Sequence, residues 1–94
     1  MDAQRRKKIF EALKSHHGWV ARMHEKTKHL KDGGFHRNHF YNVFNGIRKD
    51  HFGFVLIGAD LLIELTEEKE LEQKRKAERV DQALAKVDKL KEAS

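Results

Sequence analysis

The chain has 94 residues, enough for one domain, and with 37% charged and 38% hydrophobic residues its core must be small. It has no cysteine, which excludes a disulfide framework or a thiolate metal site, and no proline, so nothing forbids long helices. The net charge of +5 is confined to one segment: residues 1–65 carry twelve Lys/Arg against seven Asp/Glu, whereas residues 66–94 carry eight of each.

All seven histidines fall within residues 1–51, on the basic side of that division. A one-sided excess of this kind suits a polyanionic partner; a solvated basic surface is the plain alternative. Met1 to Lys8 is charged with no apolar stretch behind it, so no cleavable leader is expected. The longest apolar run, Phe52 to Leu65, is too short for a bilayer span and carries Asp60 and Glu64. A cytoplasmic protein without a membrane role is the expectation.

Asp2 is placed to cap a first helix running to about His17, with Ile9, Phe10 and Leu13 on one face and Gly18 as its left-handed stop. A second helix from about Trp19 to Lys31 aligns Val20, Met23, Thr27 and Leu30, and Gly33-Gly34 ends it. Trp19 and Met23 read as core. The third segment, His36 to Asn45, sets Phe40, Val43, Phe44 and then Ile47 at helical spacing, closed by Gly46. Phe54 to about Leu65 is apolar for longer than one strand needs and is read as a fourth helix. Thr66-Glu67-Glu68-Lys69-Glu70 then suits a new helix N-terminus. Residues 66–94 are expected to form a charged, partly frayed helical extension with a thin stripe of Ala77, Val80, Leu84, Val87 and Leu90. That stripe is short of the three or four heptads that mark a coiled coil.

If Phe40, Val43 and Phe44 face a core, then Arg37, Asn38, Tyr41, Asn42 and Asn45 face outward. No acid lies between His36 and Lys49, whereas ordinary solvent faces mix Glu with Lys. Arginine suits guanine and asparagine suits adenine in the major groove, and Arg48 and Lys49 beyond the Gly46 exit suit phosphate. The stretch Gly34-Phe35, then Phe40, Val43 and Phe44, then Asn45-Gly46-Ile47-Arg48-Lys49 resembles the turn and recognition helix of the Cro and lambda-repressor-like family. The resemblance implies an all-α bundle of four to five helices, a helix-turn-helix core over residues 1–65, and double-stranded DNA as partner. Leu30 stands where the family has a small residue and His29 where it has an aliphatic one, so a longer second helix and a wider turn are expected.

Other constellations carry less. Arg5-Arg6-Lys7-Lys8 is a basic cluster that suits a phosphate contact or, more commonly, a solvated helix face. His36 and His39 lie three apart, but there is no Cys, and His24-Glu25 lacks the second histidine of a zinc-protease helix. The expectation is therefore a sequence-specific transcriptional regulator of a phage or mobile element, not an enzyme, without cofactor, metal or small-molecule substrate. Val80, Leu84 and Val87 offer a candidate homodimer seam. The rival readings are a protein–protein interaction module without a nucleic-acid role and a small histidine-dependent nuclease or toxin.

Overall fold

A computed structural model of the chain describes residues 2–93. The first helix, α1 (Ala3–Lys14), starts where the sequence puts its cap: the Asp2 carboxylate accepts the Arg5 backbone N–H at 3.0 Å. It ends earlier than expected. The Ser15 and His16 N–H groups bond back three residues, to Ala12 and Leu13, and this tight turn stops the helix at Lys14. Gly18 is left-handed as expected (φ 79°), but it stands at the N-cap of α2 (Trp19–Thr27) rather than closing α1. A 3₁₀ turn, Lys28–Leu30, completes the second segment.

The remaining helices are α3 (Arg37–Phe44) and α4 (Phe54–Ala93). The protein is all-α, with no strand among the described residues. The expected break at Thr66 is absent, and one helix of 40 residues replaces the fourth helix and the separate extension. Thr66 lies inside it, its hydroxyl bonded to the Leu62 carbonyl at 2.8 Å, which removes the competing capping role. Of the acids that suited a helix start, Glu68 serves another element, making a fork with Arg22 of α2 at 2.8 and 3.1 Å; one turn earlier, Glu64 meets Lys26 at 2.8 Å. Ser94, the end of the expected extension, lies outside the described residues.

The core is built largely from rings. Phe10 of α1 stacks on Phe44 of α3, with centroids 4.9 Å apart and planes 2° from parallel. Phe40 packs edge-on to Phe54 at 5.0 Å, and Phe35 meets Phe54 at 4.8 Å, so α3 and the turn before it are fixed to the start of α4. Leu13, Met23, Val43, Val55, Leu61 and Leu65 fill the space between, and buried Thr27 satisfies its hydroxyl on the Met23 carbonyl at 2.7 Å. Ile47 was expected to continue the stripe of α3; it is 72% exposed, because the chain reverses at Gly46.

α4 crosses this cluster at close range because Gly58 carries no side chain. A Cβ there would lie 2.6 Å from Phe44 Cζ and 3.4 Å from Leu13 Cδ2. Beyond Leu65 the helix leaves the bundle, and every residue from Thr66 to Lys91 is exposed. At about 1.5 Å per residue its length accounts for the long dimension of the molecule, which measures 68 × 30 × 16 Å.

Two outcomes follow for stability. Alanine in a helix interior usually gains about 1 kcal/mol over glycine. Gly58→Ala should instead lower the unfolding midpoint, since forcing a methyl against the stacked Phe44 ring costs about 1–3 kcal/mol; urea denaturation checks it, and a raised midpoint would mean that the ring has room to move. Deleting residues 71–94 should leave a helical domain that melts cooperatively, because the buried set ends at Leu65. A chain that no longer melts as a unit would mean that the projecting helix supports the core.

Candidate functional site

α3 owes its placement to what happens at its two ends. Before it, Gly33 and Gly34 both have positive φ (80° and 71°), and Phe35 follows buried among the rings of Phe40, Phe52 and Phe54. The second α-helix ends at Thr27, short of the expected Lys31, and passes through the 3₁₀ turn into a connection over residues 31–36, which is wide as expected. His36 is the N-cap: its Nδ1 accepts the Asn38 backbone N–H at 3.1 Å.

The other end closes as a Schellman motif. Gly46 donates to the Val43 carbonyl at 3.1 Å and Ile47 to Asn42 at 2.8 Å, with Gly46 left-handed at φ 78°. The Arg48 N–H shares the Asn42 carbonyl at 3.2 Å. Arg6 of α1 reaches across to donate its Nε–H to the Phe44 carbonyl at 3.0 Å, placing a cation at the negative end of the helix. Its guanidinium lies where a side chain at residue 46 would stand, 2.5 Å from that Cβ position, but as the end of a flexible side chain it could give way, so it is the left-handed backbone that favours glycine there.

The exit loop carries Arg48, Lys49 and His51, all exposed. Its one acid, Asp50, is turned onto α4, where its two oxygens accept the Phe54 and Val55 N–H groups at 2.6 and 3.0 Å. Arg48 and Lys49 lie on the wall shared by two clefts. One, of about 560 Å³, is lined by Arg6, Gly46, Ile47 and Leu56; the other, of about 370 Å³, by Lys31, His39, His51 and Phe52. Cationic and imidazole groups from α1, the α2–α3 connection, α3 and the exit loop therefore converge beside one helix.

Several cations elsewhere are compensated. Arg22 and Lys26 face Glu64 and Glu68, Lys28 meets Glu25 at 2.6 Å, and Lys14 meets Glu11 at 3.2 Å. The Arg22 hydrogen bond holds the Glu68 carboxyl below its ordinary value, while the same partner raises Arg22. Among the described residues, Arg6, Lys31, Arg37, Arg48 and Lys49 have no carboxylate partner. Lys7 and Lys8 on α1 and Lys69, Lys74, Arg75, Arg79, Lys86 and Lys89 on α4 are likewise without an ion pair; the group beside α3 differs in converging from several elements.

Of the side chains read from the sequence as an outward face, Arg37, Asn38 and Asn45 are exposed and Asn42 is half-exposed. Tyr41 is a correction. It is half-buried, its ring between Phe10 at 5.3 Å and Trp19 at 5.4 Å, because α1 and the start of α2 both pack on that side of α3. Lys31 and His51 were missed, His39 was weighed only as a metal partner of His36, and Arg6 only within the basic cluster Arg5-Arg6-Lys7-Lys8 as a phosphate contact or a solvated helix face. The sequence does not show that they meet, since they join the site from separate elements.

His36 and His39 do not act as a pair. The first is occupied in capping, whereas the second stands edge-on to Phe35 and Phe54, each with centroids 5.2 Å away. No group of three or more metal-ligating side chains occurs among the described residues. Burial, and then the charges of Arg48 and Lys31, lower the His39 pKa from its ordinary value.

The chain matches no protein-family model, and no curated protein or solved structure gives a significant match.

His39 should respond to pH in a definite sense. Because its folded pKa is lowered, its neutral form supports stability above about 6.5, and that support is lost as the pH falls through the folded value. NMR titration should find the His39 ring titrating below the ordinary histidine value; a raised value would mean an acidic neighbour absent from this geometry.

Proposed function

We propose that the chain is a double-stranded DNA-binding protein that reads sequence through α3, acting as a transcriptional regulator of a phage or mobile element. In this reading α2, the wide turn and α3 form a helix-turn-helix unit. α3 enters the major groove, where Arg37, Asn38, Asn42 and Asn45 meet base edges. Arg48 and Lys49 meet phosphate on the rim, joined by Lys31 and His51. Tyr41 serves packing. The protein binds and does no chemistry.

The observation that carries the reading is the convergence of cations beside the acid-free polar face of α3. Arg6, Lys31, Arg37, Arg48 and Lys49 come from four separate elements, meet no carboxylate among the described residues and flank a helix face free of acids. A basic surface serving only solubility needs no such gathering around one polar helix face. The wide connection also leaves the N-terminal turn of α3 clear of neighbours, with His36, Arg37 and Asn38 all exposed.

Binding titrations against a selected duplex and a random duplex, at two salt concentrations, test the reading. Arg37→Ala or Asn42→Ala should weaken binding to the preferred site by about 1–3 kcal/mol and relax its specificity at one base pair. Arg48→Ala or Lys49→Ala should weaken binding to every sequence and lower the salt slope by about one unit each. If folded Arg37→Ala and Asn42→Ala proteins bind as the parent does, α3 is not the reader. If the parent binds no duplex at low salt, the DNA reading fails and the interaction-module reading takes its place.

A further inference from the structure

Beyond Glu68, whose carboxylate is bonded to Arg22, α4 projects with every residue to Lys91 exposed, yet it keeps an apolar seam. Val80, Leu84, Val87 and Leu90 are 58%, 57%, 46% and 71% exposed. Ala77 and Leu84 lie seven apart, Val80 and Val87 lie seven apart, and the two sets interleave at spacings of three and four. Together they form the a and d positions of two heptads. A lone projecting helix gains little from its own backbone bonds in water, so a covered seam is its natural means of stabilisation.

The flanks indicate what covers it. On one side (the e positions) stand Asp81 and Asp88, and on the other (the g positions) Lys76, Ala83 and Leu90. In an antiparallel pair of such helices like flanks face each other, so aspartates would oppose aspartates. In a parallel pair each g residue faces the e residue five positions further along the partner, so Lys76 meets Asp81 of the second copy, twice by symmetry. The pattern complements itself in one orientation only.

We infer that residues 76–90 of α4 form a parallel two-stranded coiled coil with a second copy of this chain. Lys76 lies 3.2 Å from Glu72 of its own helix, an exposed pair that is exchanged at little cost. N-terminal to the seam the same geometry turns unfavourable: Glu70 occupies an a position and would meet its own copy, and Lys69 would face Lys74 of the second chain. The helices therefore part above residue 76, and the two globular heads separate on the same side of the coil. With two heptads the association is reversible and modest. The inference stands independently of DNA binding.

Sedimentation equilibrium on the full chain tests it. The parent should show a reversible monomer–dimer equilibrium. Asp81→Lys turns both attractive contacts into repulsive ones and should weaken association roughly tenfold. Lys76→Glu combined with Asp81→Lys should restore it. Both positions are exposed, so circular dichroism should find the globular heads unchanged. The parent contains no cysteine, so Val80→Cys should also oxidise to a covalent dimer, whereas cysteine at the outward-facing Lys89 should not. A parent that stays monomeric at every concentration, or a charge-swapped double variant that fails to recover, overturns the inference. So does stronger association of Asp81→Lys, the sign expected for an antiparallel pair.

Discussion

The stack of Phe10 on Phe44 beneath Gly58 is the contact on which the other placements depend. It joins α1 to α3 ring on ring, and the missing side chain on α4 lets the long helix settle over both. With α1, α3 and α4 locked at one point, the rest of the ring cluster fixes the remaining freedom. Phe40 and Phe35 tie α3 and its preceding turn to Phe54, and Tyr41 wedges between Phe10 and Trp19. Edge and stacked contacts of this kind add about 0.5–1.5 kcal/mol each beyond simple area burial. A chain this short and this charged must concentrate its stability in a few large side chains, and all six phenylalanines take part in ring contacts.

That packing also determines the electrostatics. α4 descends past α2 with Glu64 and Glu68 on the facing side, so Arg22 and Lys26 are matched. It begins with Asp50 turned onto its own first amides, so the loop acid is held at the helix start. The cations beside α3 meet no such acid. The gathering of unpaired cations follows from where α4 starts and which face it turns to α2. Lysine and arginine are not concentrated in α3 itself, which contains only Arg37.

α4 has two distinct halves. From Phe54 to Leu65 it belongs to the core, and its helical state is supported by tertiary burial. Beyond that it is held by propensity, by pairs such as Lys76 with Glu72, and by continuity with the anchored half. Such an element transmits position rather than stability: whatever engages the exposed seam fixes how the globular heads are presented.

The sequence by itself determined the helices and most of the buried set. Phe10, Leu13, Met23, Phe40, Val43 and Phe44 follow from helical spacing, and Asp2, Gly33, Gly34 and Gly46 punctuate the chain where their local chemistry demands. These properties act over one or two turns, so a local pattern carries them. It also supplied the polar face of α3 at Arg37, Asn38, Asn42 and Asn45, since a face is the complement of a stripe. Only the tertiary structure decided what depends on a distant neighbour. Tyr41 was read as outward because its position on α3 is lateral, and the approach of Phe10 and Trp19 made it inward. Thr66 and the acids after it read as a helix start because that signal is local, whereas Arg22 of α2 holds Glu68 on a continuing helix. Lys31, His39 and His51 joined Arg48 and Lys49 for the same reason: their convergence is a property of the packed helices, and no spacing along the chain encodes it.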